Sequence, residues 1–269
     1  MRVEQVRNAH FWGLASSRGL LADLSADLLP TLFWGFTPDG GSLALPGGST
    51  HFGFVWRGWA LLTRYIPRRR QTFKLGAGMY FACPEPCQVQ GHGGGGGVVV
   101  SRVGYEGMFQ IGGPVNLGEG RLRYIDGGST SLLVAPPRKG DPCINHLHFP
   151  PGWKQSRHKH PSLRFTVAYQ GQGKCTVPAY PDGSGPDVEI SVDPGSMFII
   201  PTGGLHAIDA VGSSPLDIVT YHPDTLIGWT DDIHPMLEST SIVASPVGGN
   251  DPVPAACDSS VMEMCRRTS

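Results

Sequence analysis

The stretch GWKQSRHKHPSLRFTVAYQG, residues 152–171, carries two histidines separated by a single residue. Side chains two positions apart in a β-strand point to the same face of the sheet. We therefore expect His158 and His160 to enter the interior of a β-barrel together, where a neighbouring strand can supply a third ligand. The stretch DPGSMFIIPTGGLH, residues 193–206, ends in a suitable histidine, His206. Three neutral imidazoles can hold a divalent metal and leave coordination positions open for a substrate.

The glycines and prolines around these histidines carry a family resemblance. The first stretch reads Gly152, five residues, His158, one residue, His160, three residues, Arg164, six residues and Gly171; the second reads Gly195, five residues, Pro201, Thr202, Gly203, two residues and His206. The two spacings resemble the two motifs of the cupin superfamily. The resemblance implies an all-β fold of two cupin barrels, each a double-stranded β-helix or jelly roll. It also implies a metal bound by the three histidines of the second half.

Arg164 departs from the family pattern, which usually has a glutamate ligand at this position. A guanidinium stays protonated at ordinary pH and cannot coordinate a cation, so the site is expected to have three histidine ligands and no carboxylate. A guanidinium near a divalent metal is repelled unless an anion lies between them. Arg164 is therefore expected either to bind an anionic group of the substrate, or to turn away and pair with an acidic residue of the barrel wall.

Short apolar runs punctuated by glycine and proline predict an all-β protein. The chain has 269 residues, 40% of them hydrophobic, and its 38 glycines and 24 prolines are spread between strand-length runs such as RFTVAYQG and SMFIIP. Only the region around residues 19–29 favours a helix, so we expect a short helical extension at the N-terminus. The expected domains are this extension (1–30), a first barrel (31–135), a metal-binding barrel (136–238) and a C-terminal tail (239–269).

An internal repeat supports the arrangement of two barrels. Gly78 and Pro84 correspond to Gly195 and Pro201 with the same offset of 117 residues. Upstream, the seventh residue before a repeated glycine is His51 in the first half and Arg164 in the second. The residues that match the three histidines in the first half are Leu45, Gly47 and Val89, none of which binds a metal through its side chain. The first half is therefore expected to be a degenerate barrel without metal ligands.

Other polar residues near the second half are candidates for substrate binding. Gln155 precedes the ligand segment and is expected either to donate to a bound substrate or to lie in an exposed turn. Tyr221 or His222 could orient the substrate or move a proton, and strand alternation allows only one of them to face the interior. The rest of residues 222–234 favours a structural or dimer-contact role. His146 and His148 form a second HxH pattern, but no glycine or proline frame accompanies them, so supporting or packing roles are favoured over coordination.

Three aromatic residues are candidates for the apolar wall of the site: Trp153, Phe165 and Phe198. Strand direction leaves open which of them faces inward, and we expect at least one to face outward.

Charge and composition argue against several other classes of protein. The formal net charge is −1 and only 16% of residues are charged, so neither nucleic acid nor a membrane is an expected partner. No segment has the roughly 18 consecutive apolar residues of a membrane span and no secretory signal is evident, so a cytoplasmic location is expected. The five glycines at 93–97 lack the ending of a phosphate-binding loop and favour a flexible hairpin tip. A homodimer is expected, since cupins commonly pair through sheet edges.

These observations favour a metal-dependent enzyme. The first expectation is an oxygenase, a non-heme Fe(II) dioxygenase that acts on a small anionic metabolite with O2, because three-histidine cupin irons occur in dioxygenases for thiols, β-diketones and gentisate-type rings. The alternatives are a redox-neutral isomerase, lyase or decarboxylase, in which the metal is only a Lewis acid, and a non-catalytic metabolite-binding cupin. Mn, Ni, Cu and Zn remain possible metals. Neither a nucleotide nor 2-oxoglutarate is expected as a cofactor.

Overall fold

The computed structural model describes residues 1–38 and 41–224. Within them, the only helical elements are the 3-10 turns Val3–Gln5 and Ile125–Gly127, and all other regular structure is β. In chain order the strands are β1 (Trp12–Leu14), β2 (Gly19–Leu24), β3 (Thr31–Phe36), β4 (Ser42–Leu45), β5 (Ser49–Ile66), β6 (Arg69–Gly76), β7 (Tyr80–Cys83), β8 (Cys87–Val103), β9 (Gln110–Gly112), β10 (Leu122–Arg123), β11 (Ser129–Val134), β12 (Cys143–Phe149), β13 (Arg164–Gln170), β14 (Gln172–Pro178), β15 (Asp187–Val192), β16 (Met197–Ile200), β17 (Ala207–Val211) and β18 (Leu216–His222). The all-β class predicted from the sequence is confirmed.

The described strands form three sheets. The first has the order β2-β3-β8-β5-β7-β9, with β4 paired to β8 and β6 paired to β5. The second has the order β1-β16-β13-β18-β12-β11-β10, and the third is β15-β14-β17. The first sheet comes from the N-terminal half of the chain and the other two come mostly from the C-terminal half. The exceptions are β10 and β11, which precede residue 135, and β1, which crosses over to pair with β16, so the start of the chain extends this sheet.

The internal repeat is visible as the same strand pairing in both halves. Strands β5 and β7 pair antiparallel with His51 opposite Cys83. Strands β13 and β16 pair antiparallel with Arg164 opposite Ile200. Cys83 and Ile200 differ by the repeat offset of 117 residues, so His51 and Arg164 occupy equivalent positions in the two halves.

The repeated glycines pack across the two halves in a reciprocal way. Gly78 and Gly195 have φ angles of 81° and 87°, a region that side-chain-bearing residues rarely adopt. A Cβ on Gly78 would lie 2.8 Å from the hydroxyl of Tyr169, and a Cβ on Gly195 would lie 2.8 Å from the ring of Trp56. Because Trp56 and Tyr169 are themselves equivalent in the repeat, the halves contact each other as a two-fold related pair does.

A shared apolar core joins the first two sheets. It includes Phe52 and Phe54 of β5 and their repeat equivalents Phe165 and Val167 of β13, all of them buried. Each such buried side chain stabilises the fold by roughly 1.5–3 kcal/mol. Two further buried clusters lie one in each half, one around Phe81 and the other around Phe198.

The predicted N-terminal helix is wrong. Residues Gly19–Leu24 form strand β2, which pairs antiparallel with β3, with Gly19 opposite Gly35. Of the residues that favour a helix locally, Leu21, Ala22 and Leu24 pack on the shared core, whereas Leu20 and Leu28 are exposed. Tertiary packing and the hydrogen bonds offered by β3 override a weak local propensity.

The glycine run at 93–97 is not a hairpin tip. It lies within β8, opposite the irregular middle of β5, where the pairing register shifts between Val55 and Trp59. A Cβ on Gly95 would overlap the carbonyl oxygen of Trp59, so the close approach of two backbones requires glycine there.

The predicted division at residues 135 and 136 stays a prediction. The C-terminal tail predicted at 239–269, together with residues 225–238, lies outside the described residues. Within the part of the chain that the structure describes, no helix has both the length and the apolar character required to cross a membrane.

Candidate metal centre

Three histidines converge in the C-terminal half. His158 and His206 face each other in an isolated antiparallel bridge, with both backbone N–H···O distances at 2.9 Å. His160 lies just beyond this bridge, and its carbonyl oxygen accepts a hydrogen bond of 2.8 Å from the backbone of Gly203. The sequence predicted that both histidines of the HxH pattern would lie on one strand, whereas only His158 makes a strand-like bridge. The ligand atoms of the three imidazoles nevertheless lie within 4.8 Å of one another.

The backbone fixes how two of these rings present their nitrogens. The Nδ1 atom of His158 lies 3.0 Å from the carbonyl oxygen of Ser156, and the Nδ1 atom of His206 lies 3.0 Å from that of Gly204. A carbonyl accepts a proton from Nδ1–H, which leaves Nε2 with a free lone pair for a metal. The Nε2 atom of His158 is buried and has no hydrogen-bond partner. The donor set and this orphaned atom fit a divalent metal.

The rings are also held in the neutral form that coordination requires. Burial is the main cause that lowers the pKa of all three histidines, to about 2 for His160 and to about 3 for His206. The charge of Arg164 lowers the three values further. Removing an imidazolium from water costs free energy, so the unprotonated rings are favoured.

Arg164 lies at the start of β13 and lines the same cavity as the three histidines. Its Nη1 atom donates to the carbonyl oxygens of Ser162 and Leu163, at 3.1 and 2.8 Å, and to the Ser162 hydroxyl at 2.7 Å. Its Nε atom is buried without a hydrogen-bond partner. Burial lowers the pKa of Arg164, interactions with Tyr124 and Asp224 oppose this shift, and the guanidinium remains charged.

No carboxylate among the described side chains lines this cavity, and the acidic residue that acts on Arg164 is Asp224, whose charge raises the pKa of the guanidinium. Arg164 lines the cavity, as the first of the two roles that the sequence left open for it requires, and the choice between the two roles stays a prediction.

Strand alternation places His222 in the cavity and Tyr221 outside it. His222 lines the cavity, and burial together with the charge of Arg164 lowers its pKa well below the usual value. Tyr221 points to the opposite face of β18, where its ring lies 5.4 Å from that of Phe52 in the shared core. Tyr221 thus cannot reach a substrate beside the histidines, because successive side chains of a strand face opposite ways.

Gln155 lines the cavity and is buried rather than in an exposed turn. Its Oε1 atom accepts a hydrogen bond of 3.0 Å from the backbone of Ile208, and its own backbone N–H donates to Asp209 at 3.2 Å. Gln155 therefore ties the ligand segment to β17, and its amide nitrogen remains available as a donor.

The apolar wall comes from residues that the sequence analysis did not select. Trp153 stacks behind Phe149 with ring centroids 4.1 Å apart, Phe165 packs on Phe33 and Phe198 stacks on Phe11, and none of these three candidates lines the cavity. The apolar wall consists of Leu147, Phe149, Ile200, Ile208 and Ile218. Strand register determines that these side chains face the cavity, and the sequence alone does not give the register.

Three polar residues of the cavity were also missed: Tyr124, Thr166 and Thr220. The hydroxyls of Thr166 and Thr220, on the adjacent strands β13 and β18, lie 3.2 Å apart. Alternation from Arg164 predicts Thr166, but Tyr124 comes from an irregular segment and carries no signal in the sequence. Burial raises the pKa of Tyr124, so its phenol keeps its proton.

The second HxH pattern lies on the other face of the sheet. His146 and His148 each place a ring nitrogen 2.8 Å from the same carboxylate oxygen of Asp217. His146 and Asp217 are almost fully buried. Among the described residues these side chains do not join the three-histidine group.

Comparisons with known proteins found similarity in structure but not in sequence. No family model and no curated protein matches the chain. A structure of Bacillus subtilis oxalate decarboxylase, described for its Mn(II) centres, has a TM-score of 0.53 at 15% identity and covers 82% of this chain and 78% of that chain. An oxalate decarboxylase structure described for its substrate binding mode and a reaction specificity switch has a TM-score of 0.53 at 14% identity, with coverage of 82% and 78%. A variant of the Bacillus subtilis enzyme has a TM-score of 0.52 at 14% identity, and the match covers 82% of this chain and 78% of that chain.

This likeness extends over most of both chains, but at 14–15% identity it shows the fold alone. The cupin barrel fold that the two motifs predicted is confirmed. The metal ligands and the absence of a site from the first half stay predictions, because a shared fold does not fix the chemistry of a site.

Proposed function

We propose that this chain is a metal-dependent enzyme that breaks or rearranges bonds in a small carboxylate without net oxidation, with decarboxylation as the first reaction to test. One observation carries the proposal. Three neutral imidazoles and the buried guanidinium of Arg164 share one cavity, and no described carboxylate lines it. Such a site is strongly positive once a divalent metal is bound, so it selects an anion.

The metal would be held by His158, His160 and His206, and it would supply a Lewis acid that polarises a substrate oxygen. Mn(II) is the first metal to test, since Mn(II) centres are named for one of the similar structures. Fe(II), the first expectation from the sequence, has no such support. Zn, Ni and Cu also bind imidazole.

Arg164 would bind a carboxylate oxygen of the substrate. The donors for this contact would be its unpartnered Nε and the N–H groups of the guanidinium that do not bind Ser162. Hydrogen bonds between a guanidinium and a carboxylate are stronger than neutral ones and orient the anion. In a decarboxylation, the C–C bond to this carboxylate breaks and CO2 leaves. The electron pair passes to a neighbouring carbonyl as an enolate, and the enolate carbon then takes up a proton.

Two residues of the cavity can hold the proton that this reaction needs. Tyr124 keeps a phenolic proton, because burial raises its pKa. His222 is neutral and offers one N–H and one acceptor nitrogen. The Thr166 and Thr220 hydroxyls add donors at the polar end of the cavity. We assign Tyr124 and His222 to proton transfer and Gln155 to positioning of the ligand segment.

A dioxygenase is the second candidate, because the three histidines supply the set of metal-binding atoms described above. Three neutral imidazoles without a carboxylate leave the full charge of a divalent metal and several open positions, which suits binding of both an anionic substrate and O2. The similar structures do not support this class, since they are described as decarboxylases.

The test is to purify the chain without added metal, measure its metal content, and then load it with Mn(II), Fe(II) or Zn(II). Each form is incubated with oxalate, malonate, oxaloacetate and a series of 3-oxo acids while CO2 release and O2 uptake are followed. CO2 release without O2 uptake supports the proposal. O2 uptake in stoichiometric ratio to substrate loss supports the dioxygenase. Failure of every metal to bind would overturn both.

A further inference from the structure

We propose that the substrate carries an apolar group beside its carboxylate, so that the cavity discriminates against oxalate and other small dicarboxylates. The inference deepens the proposed function and rests on it. It depends on how polarity is distributed along the wall of the cavity.

Strand β18 runs from a polar end of the cavity to an apolar one. His222, Thr220 and Ile218 alternate along it and all face the cavity. Ile218 pairs across the sheet with Leu147 of β12, which also lines the cavity. The neighbouring strand repeats the polar end, because Thr166 of β13 lies opposite Thr220.

Of the remaining apolar side chains, Phe149 belongs to this second end, whereas Ile208 and Ile200 are neighbours of His206 and Arg164. Phe149 is fully buried and lies two residues beyond Leu147 on the same face of β12. Ile208 follows His206 at a spacing of two residues, and Ile200 lies opposite Arg164. The five side chains Leu147, Phe149, Ile200, Ile208 and Ile218 are each at most 6% exposed.

A carboxylate bound between the metal and Arg164 would therefore direct the rest of the molecule toward aliphatic and aromatic side chains. A second carboxylate in that direction would lose its hydration without gaining a partner from the five wall residues, which is unfavourable. A branched alkyl or aryl group would bury apolar surface instead. The expected substrate class is a monocarboxylate such as a 3-oxo acid with a branched alkyl or phenyl substituent.

Binding of unreactive acids tests this without turnover. Titration calorimetry on Mn(II)-loaded protein would compare acetate, propionate, isovalerate and phenylacetate with oxalate and malonate. Affinity is expected to rise by about fourfold for each methylene buried. Isovalerate and phenylacetate are expected to bind more tightly than malonate. Tighter binding of oxalate or malonate than of isovalerate overturns the inference.

Two variants of Ile218 separate the effect of a polar wall on ligand binding from the effect of a changed side-chain shape. Ile218→Thr keeps a β-branched side chain and adds a hydroxyl, and Ile218→Val is its matched apolar control. Ile218→Thr is expected to weaken isovalerate binding about tenfold while acetate binding and metal content stay unchanged. Ile218→Val is expected to change isovalerate binding less than fourfold. Equal loss in both variants, or loss of acetate binding, contradicts the inference.

Turnover assays distinguish a failure of the proposed function from a failure of the proposed substrate preference. If apolar monocarboxylates bind tightly but no acid in the panel releases CO2, the proposed function fails and the cavity's preference stands. If oxalate or malonate is decarboxylated faster than 3-oxo-4-methylpentanoate or benzoylacetate, the enzyme class stands and the inference about the substrate fails.

Discussion

The two halves of the molecule share a scaffold and differ in a handful of side chains at one place. In both halves a strand that starts near a polar residue, His51 or Arg164, pairs with a short strand that follows a glycine of positive φ. In the C-terminal half this scaffold brings three imidazoles together, with Nε2 of His158 left without a partner. In the N-terminal half the equivalent positions are filled with apolar carbon.

Strand register corrects which residues of the first half are equivalent to the ligands. The sequence comparison matched His158 and His160 with Leu45 and Gly47. In the structure Val89, the counterpart of His206, pairs with Leu43, so Leu43 and Leu45 are the equivalent residues. The turn after β4 differs in length from the segment after His160, which shifts the match by two positions. All three equivalents, Leu43, Leu45 and Val89, are buried in one apolar cluster.

His51 and Arg164 show the same contrast among polar residues. Both ring nitrogens of His51 have partners, the Ser101 hydroxyl at 2.7 Å and the Pro46 carbonyl oxygen at 2.8 Å. Arg164 has a buried Nε without one. A polar group that is satisfied stabilises a fold, whereas an unsatisfied one is costly and is retained where a ligand uses it. His51 is therefore a satisfied structural residue of the first half, whereas Arg164 keeps an unsatisfied donor that suits its proposed role in binding.

The largest expected difference between the halves lies at His206, a proposed metal ligand. His206→Ala is expected to lower metal affinity by more than about 100-fold and to abolish activity, because one of three ligands is lost. The matched variant Val89→Ala is expected to cost about 2 kcal/mol of unfolding free energy and to leave metal content unchanged. Elemental analysis after dialysis, with circular dichroism to check folding, gives the result. Full metal content in His206→Ala, or loss of metal in Val89→Ala, would reverse the assignment of the site.

The next contrast lies between Arg164 and His51. Arg164→Gln is expected to weaken carboxylate binding about 100-fold without changing metal content, since it removes a charge-assisted contact. His51→Gln is expected to leave carboxylate binding unchanged and to cost roughly 1–3 kcal/mol of stability through its buried hydrogen bonds. Calorimetric titration and urea unfolding measure the two effects. Unchanged carboxylate affinity in Arg164→Gln would exclude it as the anion-binding group.

The buried histidines are expected to make the stability of the fold depend on pH. The folded-state pKa is about 2 for His160 and about 3 for His206, below the ordinary value of 6.5. Above 6.5 both states are neutral, whereas below 6.5 the unfolded chain gains protons that the metal-free folded protein does not. Stability is therefore expected to fall from pH 6.5 down toward pH 3, by up to about 1.4 kcal/mol per pH unit for each such histidine.

Urea unfolding of metal-free protein between pH 7 and pH 5 measures this slope. His206→Leu, which removes one of these groups, is expected to reduce the slope, while Val89→Leu in the first half is expected to leave it unchanged. A slope that is the same in all three proteins would mean that other groups control the acid response.

The sequence was sufficient for the fold and for the convergence of the three histidines because their signals are local. Glycine and proline spacing, together with an HxH pattern, can be read from 55 residues. It failed where the outcome depends on long-range register. The side chains of the wall, such as Ile218 and Leu147, are selected by which strands pair, and Tyr124 reaches the cavity from a segment outside both motifs. The segment around Leu24 became a strand because β3 offered an open edge.

The smallest expected difference tests the scaffold that the halves have in common. Gly78→Ala and Gly195→Ala each place a side chain at positive φ, which costs roughly 1–2 kcal/mol, and each brings a methyl group against an aromatic ring of the other half. The two losses are expected to agree within about 0.5 kcal/mol and to add in the double variant, because the contacts are separate. Unfolding in urea measures both. A much larger loss for Gly195→Ala would mean that the C-terminal half depends on this turn for its site as well as for packing, and the reciprocal contact would then not describe two equivalent halves.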